Sequence, residues 1–253
     1  MSFTDRQLGQ RIHSEPQTVY QCSTRKRIAG YDMMDLLKQG DVLIVTKDDA
    51  PGNIIDWWTQ WDIPAHIKKL PRRTHMEIVR RMVPDFGPTS LSAEGKKGVT
   101  CIETRRLVEP GWSGEVWRHS SMDELDASGR DRIRNHLEHI MCVVEAKTGD
   151  DMYDLSGAIR SSDVLNRIIR SVPFLNKAIR DDKGGFFCSE LVIMLLRLLE
   201  IYVSGREGSK YRGYQFDPCA SMEASKVSPI EGAYEFRQSK VWKKKFKWGV
   251  HSG

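Results

Sequence analysis

The order of the predicted elements specifies an α+β fold, an antiparallel sheet packed against a central helix. Three observations lead there. Short β-branched runs such as Asp41-Val42-Leu43-Ile44-Val45-Thr46 and His75-Met76-Glu77-Ile78-Val79 cluster in the first half of the chain. Helical periodicities gather in the second half. One of those helices, Ser189 to about Ile201, is apolar nearly all round, which puts it at the centre of the fold.

In order, residues 1–30 are polar and read as an N-terminal arm. A domain is predicted over 31–239, and 240–253 form a basic aromatic C-terminal tail. Tyr31 to Lys38 has helical spacing and is closed by Gly40, and the strand Asp41–Thr46 follows. Ile54 to Leu70 is a mixed segment carrying Trp57, Trp58 and Trp61. Pro71 precedes a strand over His75–Met82, and Pro84 to Pro88 is a loop. Thr89–Glu94 and Gly98–Thr104 form a hairpin around Gly95-Lys96-Lys97, and Gly114–Arg118 is a further strand. Met122–Glu145 reads as one helix, followed by helical segments over Asp154–Arg160, Asp163–Val172 and Phe174–Arg180. After the turn at Gly184-Gly185 the apolar helix begins. Ser228-Pro229 opens a last short helix with Pro in its first turn.

The chain has 253 residues, 40% hydrophobic and 29% charged, enough for one large domain or two small ones with a proper core. Basic residues exceed acidic ones by 39 to 34, and the resulting +5 permits anionic contacts without requiring nucleic acid. The opening Met1-Ser2-Phe3-Thr4-Asp5-Arg6-Gln7 lacks the apolar core of a signal peptide. The longest apolar run, Leu191 to Leu196, falls far short of the ~20 residues a membrane span needs. Five cysteines, an odd number with no C-x-x-C, argue against a disulfide framework and a zinc ribbon and leave a thiol free for chemistry.

Cys188 stands in the first turn of the apolar helix, after Gly184-Gly185-Phe186-Phe187. A helix N-terminus favours a thiolate through its partial positive charge and unpaired N–H groups, and those groups can also hold an oxyanion. A buried structural cysteine is the competing reading. A thiol nucleophile wants an imidazole within hydrogen-bond reach. Of seven histidines, His75 opens a strand after Pro-Arg-Arg-Thr, a position from which a side chain projects into a cleft. His13 and His251 fall in the termini, His119 in a loop, His136 and His139 on a helix, and His66 in the Trp-rich segment.

Taken together these residues resemble a known family. Gly40-Asp41-Val42-Leu43-Ile44, then Thr74-His75-Met76-Glu77-Ile78-Val79, is similar to the start of the circularly permuted papain-like hydrolases. These are the YiiX/YaeF-like relatives of the NlpC cell-wall endopeptidases and of lecithin:retinol acyltransferase. Gly98-Val99, Val116-Trp117-Arg118, Tyr153-Asp154, Phe187-Cys188-Ser189-Glu190-Leu191-Val192 and Val227-Ser228-Pro229 extend the resemblance over roughly residues 32 to 237. His precedes Cys, the reverse of papain.

The resemblance implies a permuted papain-like fold and a cysteine hydrolase, with Cys188 as nucleophile and His75 as base. It also implies a third polar group on the strand after the His strand. Glu94 is the first choice there, Ser92 lies two residues earlier on the same strand face, and Glu77 on the His75 strand ranks third. No metal or organic cofactor is required. The implied substrates are peptides, peptidoglycan peptides or lipid amides, and the implied location is cytoplasmic or virion-associated. A catalytically idle structural or binding module of the same fold, such as a bacteriophage particle component, is one alternative, with the arm and the tail as protein-partner contacts. An acyltransferase is the other.

Three further features read blandly. His136, His139 and Cys142 fall at i, i+3 and i+6, which drifts too far around a helix for three ligands on one metal. The tryptophans at 57, 58 and 61 suit core packing as well as ligand stacking. The run Lys240 to Lys247 suits contact with phosphate or another acidic partner, or a solvated edge strand carrying lysines.

Overall fold

The computed structural model describes residues 19–22, 27–28, 30–47, 63–83, 87–93, 99–109, 111–148, 188–206, 214–224 and 227–249. Their architecture is α+β. The strands are β1 (Val19–Cys22), β2 (Arg27–Ile28), β3 (Val42–Lys47), β4 (His75–Val83), β5 (Gly87–Ala93), β6 (Val99–Glu103), β7 (Trp112–His119) and β8 (Trp242–Gly249). They form one sheet in the order β2-β1-β8-β7-β3-β4-β5-β6, and every neighbouring pair is antiparallel. Six of them, β3 to β8, make its body, and β1 and β2 extend it beyond β8. The helices are α1 (Gly30–Leu36), α2 (Ser121–Glu124), α3 (Ala127–Thr148), α4 (Cys188–Arg206) and α5 (Pro229–Gln238), with a 3-10 turn, η1, at Thr104–Val108.

Both faces of the sheet are covered, which is why β3 reads as a continuous apolar run and not as an alternation. Val42 and Ile44 face the larger core with Met76, Ile78, Leu91 and the apolar flanks of α3 and α4. Leu43 and Val45 face a second core with Val79, Met33, Leu107 and Trp248. Helix α4 lies against β4, β5, α3 and α5, and its run Leu191–Leu196 is buried on every side. Arg197, which ends that run, is satisfied locally. The guanidinium pairs with Asp217 and donates to the carbonyls of Cys219 at 2.7 Å and Met222 at 2.6 Å.

The turn into β3 is pinned by a buried ion pair. Arg118 of β7 donates to both carboxylate oxygens of Asp41 at 2.7 Å and to the carbonyl of Leu36 at 2.8 Å. Gly40, with φ of 88°, takes the left-handed conformation that this turn requires. Helix α5 starts as expected at Ser228-Pro229, in a capping box where Ser228 Oγ accepts from Glu231 N–H and the Glu231 carboxylate accepts from Ser228 N–H.

Several expectations need correction. The segment taken as a C-terminal tail is strand β8, inserted between β1 and β7 and not at an edge, with Trp242, Phe246 and Trp248 buried. Its lysines hid an apolar set that spans the sheet. The N-terminal arm likewise contributes β1 and β2. The single helix expected over Met122–Glu145 is two, because the Asp126 carboxylate caps a new start by accepting from Gly129 N–H at 2.6 Å. Strand β5 begins at Gly87, inside the expected loop. Trp57, Trp58 and Trp61, the three helical segments over 154–180 and the Gly184-Gly185 turn lie outside the described residues.

Candidate active site

The site forms where the first residue of β4 meets the first residue of α4. The chain enters β4 along a tethered segment: Thr46 Oγ1 donates to the Arg72 carbonyl at 2.5 Å, Thr74 N–H to the Val45 carbonyl at 2.9 Å, and Lys47 N–H to Thr74 Oγ1 at 3.1 Å. His75 is therefore fixed opposite Val45. On the other side, Ser189 anchors the start of α4, its buried hydroxyl donating to the Val227 carbonyl at 2.5 Å.

Between these anchors the Cys188 thiol and the His75 imidazole are hydrogen-bonded, and the sulfur also accepts from the backbone N–H groups of Met76 and Ser189. Cys188 remains partly exposed, and the His75 side chain keeps 18% of its surface. The far side of the ring is engaged as well. His75 Nε2 lies 2.7 Å from Ser92 Oγ and 3.3 Å from Glu77 Oε1, so Nδ1 is the nitrogen left for the sulfur. Glu77 is two residues from His75 on one strand face, and the Ile78–Leu91 register carries Ser92 opposite Glu77. The buried Glu77 carboxylate pairs in turn with Arg106 of η1, whose guanidinium stacks 5.3 Å from the Trp112 ring centre.

The electrostatics of this chain favour a charged pair. Burial pulls the imidazole down, but the Cys188 sulfur and the Glu77 carboxylate outweigh it and raise the His75 pKa to about 10. Burial pushes the Cys188 thiol up, and the imidazolium with the two backbone N–H groups brings it below the ordinary thiol range. Glu77 is held below the usual carboxylate range against its burial by His75, Arg106 and Ser90. A thiolate beside an imidazolium is a nucleophile with a proton donor already in place.

The structure thus brings together Cys188, His75, Ser92 and Glu77 of the residues singled out in sequence; Glu94 lies outside the described residues. Arg106 was not anticipated, because nothing in Thr104-Arg105-Arg106 marks which arginine turns inward. His136 and His139 flank the Tyr202 ring at 4.8 and 6.3 Å, and His119 is stacked on Phe216 at 4.4 Å. Among the described residues no cluster of His, Cys, Asp or Glu could hold a metal ion, and no helix is long and apolar enough to cross a membrane. No protein-family model and no curated protein matches this sequence.

Proposed function

We propose that this chain is a thiol hydrolase of permuted papain-like fold, cleaving an amide or ester bond. One observation carries the reading: a thiol at the tip of a buried helix is hydrogen-bonded to an imidazole whose far nitrogen faces a buried carboxylate. The Cys188 thiolate attacks the carbonyl carbon, and the negative charge passes to the carbonyl oxygen, where backbone N–H groups of the helix start can stabilise it. The His75 imidazolium gives its proton to the leaving amine or alcohol as the thioester forms. Water then attacks the thioester, His75 takes its proton, and the acid departs as the C–S bond breaks, restoring the Cys188 thiolate beside the His75 imidazolium. Glu77 stabilises the imidazolium through Nε2, and Ser92 fixes the plane of the ring. Peptidoglycan peptides and lipid amides are the substrate classes that the motif resemblance suggests.

The test is labelling with an iodoacetamide probe near neutral pH, followed by peptide mapping of wild type and His75→Ala. Labelling concentrated on Cys188 and lost in the variant is the expected result. Equal labelling of both proteins would remove the basis for a thiol enzyme. Product analysis of a model amide with and without added amine then separates hydrolysis from acyl transfer.

A further inference from the structure

Glu115 of β7 is fully buried, and a single one of its oxygens faces four cations. Oε1 lies 3.0 Å from Arg73 Nη2, 2.9 Å from Arg237 Nη2, 3.7 Å from Lys247 Nζ and 3.9 Å from Lys244 Nζ. The four come from three places: the segment entering β4, the last turn of α5, and β8. Among the described residues no second carboxylate pairs with any of them. Among the described residues, one negative charge stands against four positive ones, a surplus of three.

The strain of that surplus is visible in the cations themselves. Lys244 is held below its ordinary range, first by burial and then by repulsion from Lys247 and Arg237. Arg73 is lowered by burial, and Arg237 adds to the effect against the pull of Glu115. Each arginine gives one Nη to Glu115, and among the described residues neither Nε has an acceptor. The cluster is also reachable. Arg73 and Glu115 form its floor, while Lys244 and Lys247 keep 31% and 46% of their side-chain surface.

We infer that this cluster is a binding site for a phosphate group, with Arg237, Lys244 and Lys247 touching the oxygens and Arg73 supplying charge from beneath. A carboxylate ligand would cancel one charge of the surplus; a phosphate monoester or diphosphate cancels two or three. The mixture also fits: guanidinium forks set orientation and ammonium groups supply point charge. Phosphate binding here does not depend on the chemistry of the thiol.

The test is calorimetric titration of the full chain with pyrophosphate at low salt, in wild type, Lys244→Gln/Lys247→Gln, Lys243→Gln and Cys188→Ala. Lys243 is an exposed neighbour on β8 outside the cluster, so its variant removes one charge without touching the site. The double variant is expected to bind about tenfold more weakly or worse, with Lys243→Gln and Cys188→Ala unchanged. Circular dichroism of each variant checks that the fold is kept. No binding by wild type, or an equal loss in Lys243→Gln, would overturn the site. Flotation with phosphatidylcholine vesicles, with and without phosphatidic acid, identifies the source of the phosphate. Capture that free pyrophosphate reverses assigns it to a lipid headgroup, and pyrophosphate binding without capture assigns it to a soluble ester.

Discussion

Replacing Glu77 with Gln keeps the shape of the site and removes the charge behind the imidazole. At the 3.3 Å between Glu77 Oε1 and His75 Nε2, a full negative charge is worth about 5 kcal/mol to an imidazolium at an effective dielectric of ~20. Arg106 sits on the same carboxylate and opposes part of that field. The net effect is on the order of 1–3 kcal/mol, or roughly one to two pKa units on a pair that titrates together. The imidazolium should therefore lose its proton at lower pH and the thiol should ionise at higher pH, so the window of the charged pair narrows from both ends. The assay is the rate of Cys188 alkylation by iodoacetamide across the pH range, followed by mass spectrometry. Wild type is expected to stay reactive well below the ~8.5 of a free thiol. Glu77→Gln should react about tenfold more slowly on the acid limb, from the shift of one unit or more. A Glu77→Gln profile lying on the wild-type curve, while His75→Ala still moves it, would refute a role for the carboxylate in holding the ion pair.

Two further predictions concern stability. His119 is buried against Phe216 and Trp242, and burial lowers its pKa to about 4 from the ordinary 6.5. A base lowered in the folded state stabilises the fold above its unfolded pKa and loses that contribution as pH falls. Urea denaturation should accordingly show a loss on the order of 3 kcal/mol between pH 6.5 and 4, absent from His119→Phe; an identical pH dependence in both proteins would exclude His119 as its source. Gly114 admits the Trp248 ring over β7, and a Cβ there would stand 2.5 Å from that ring and 2.7 Å from the Ile44 carbonyl. Gly114→Ala should cost about 2–3 kcal/mol in urea denaturation, and a variant as stable as wild type would mean that the ring moves aside freely.

How far the residues announce this fold depends on whether the signal is local. Val42 to Val45 and Leu191 to Leu196 are apolar on all sides, so their burial follows from the sequence alone. Strand β8 failed that reading because three of its eight residues are buried aromatics separated by lysines, a pattern equally natural at a terminus. Its neighbours, β1 and β7, are fixed by pairings across more than a hundred residues, which periodicity does not encode. In the site, Cys188 and His75 were legible because each opens its own element. The support behind the ring was less so. Glu77 ranked last although it shares a strand face with His75, since that pattern alone does not say whether two side chains converge or run parallel. Arg106 comes from a 3-10 turn with no repeat to read.

Strand β8 is synthesised after both of the strands it joins, yet it fills an interior slot of the sheet. Until it emerges, β7 presents an unpaired edge and the N-terminal hairpin has nothing to dock on, a condition that invites pairing between copies. Early pairing of sequence-local strands such as β4 and β5, followed by late closure by β8, would make completion of the sheet a slow, long-range step. Such a chain should depend on a chaperone or on low concentration during synthesis more than its finished packing suggests.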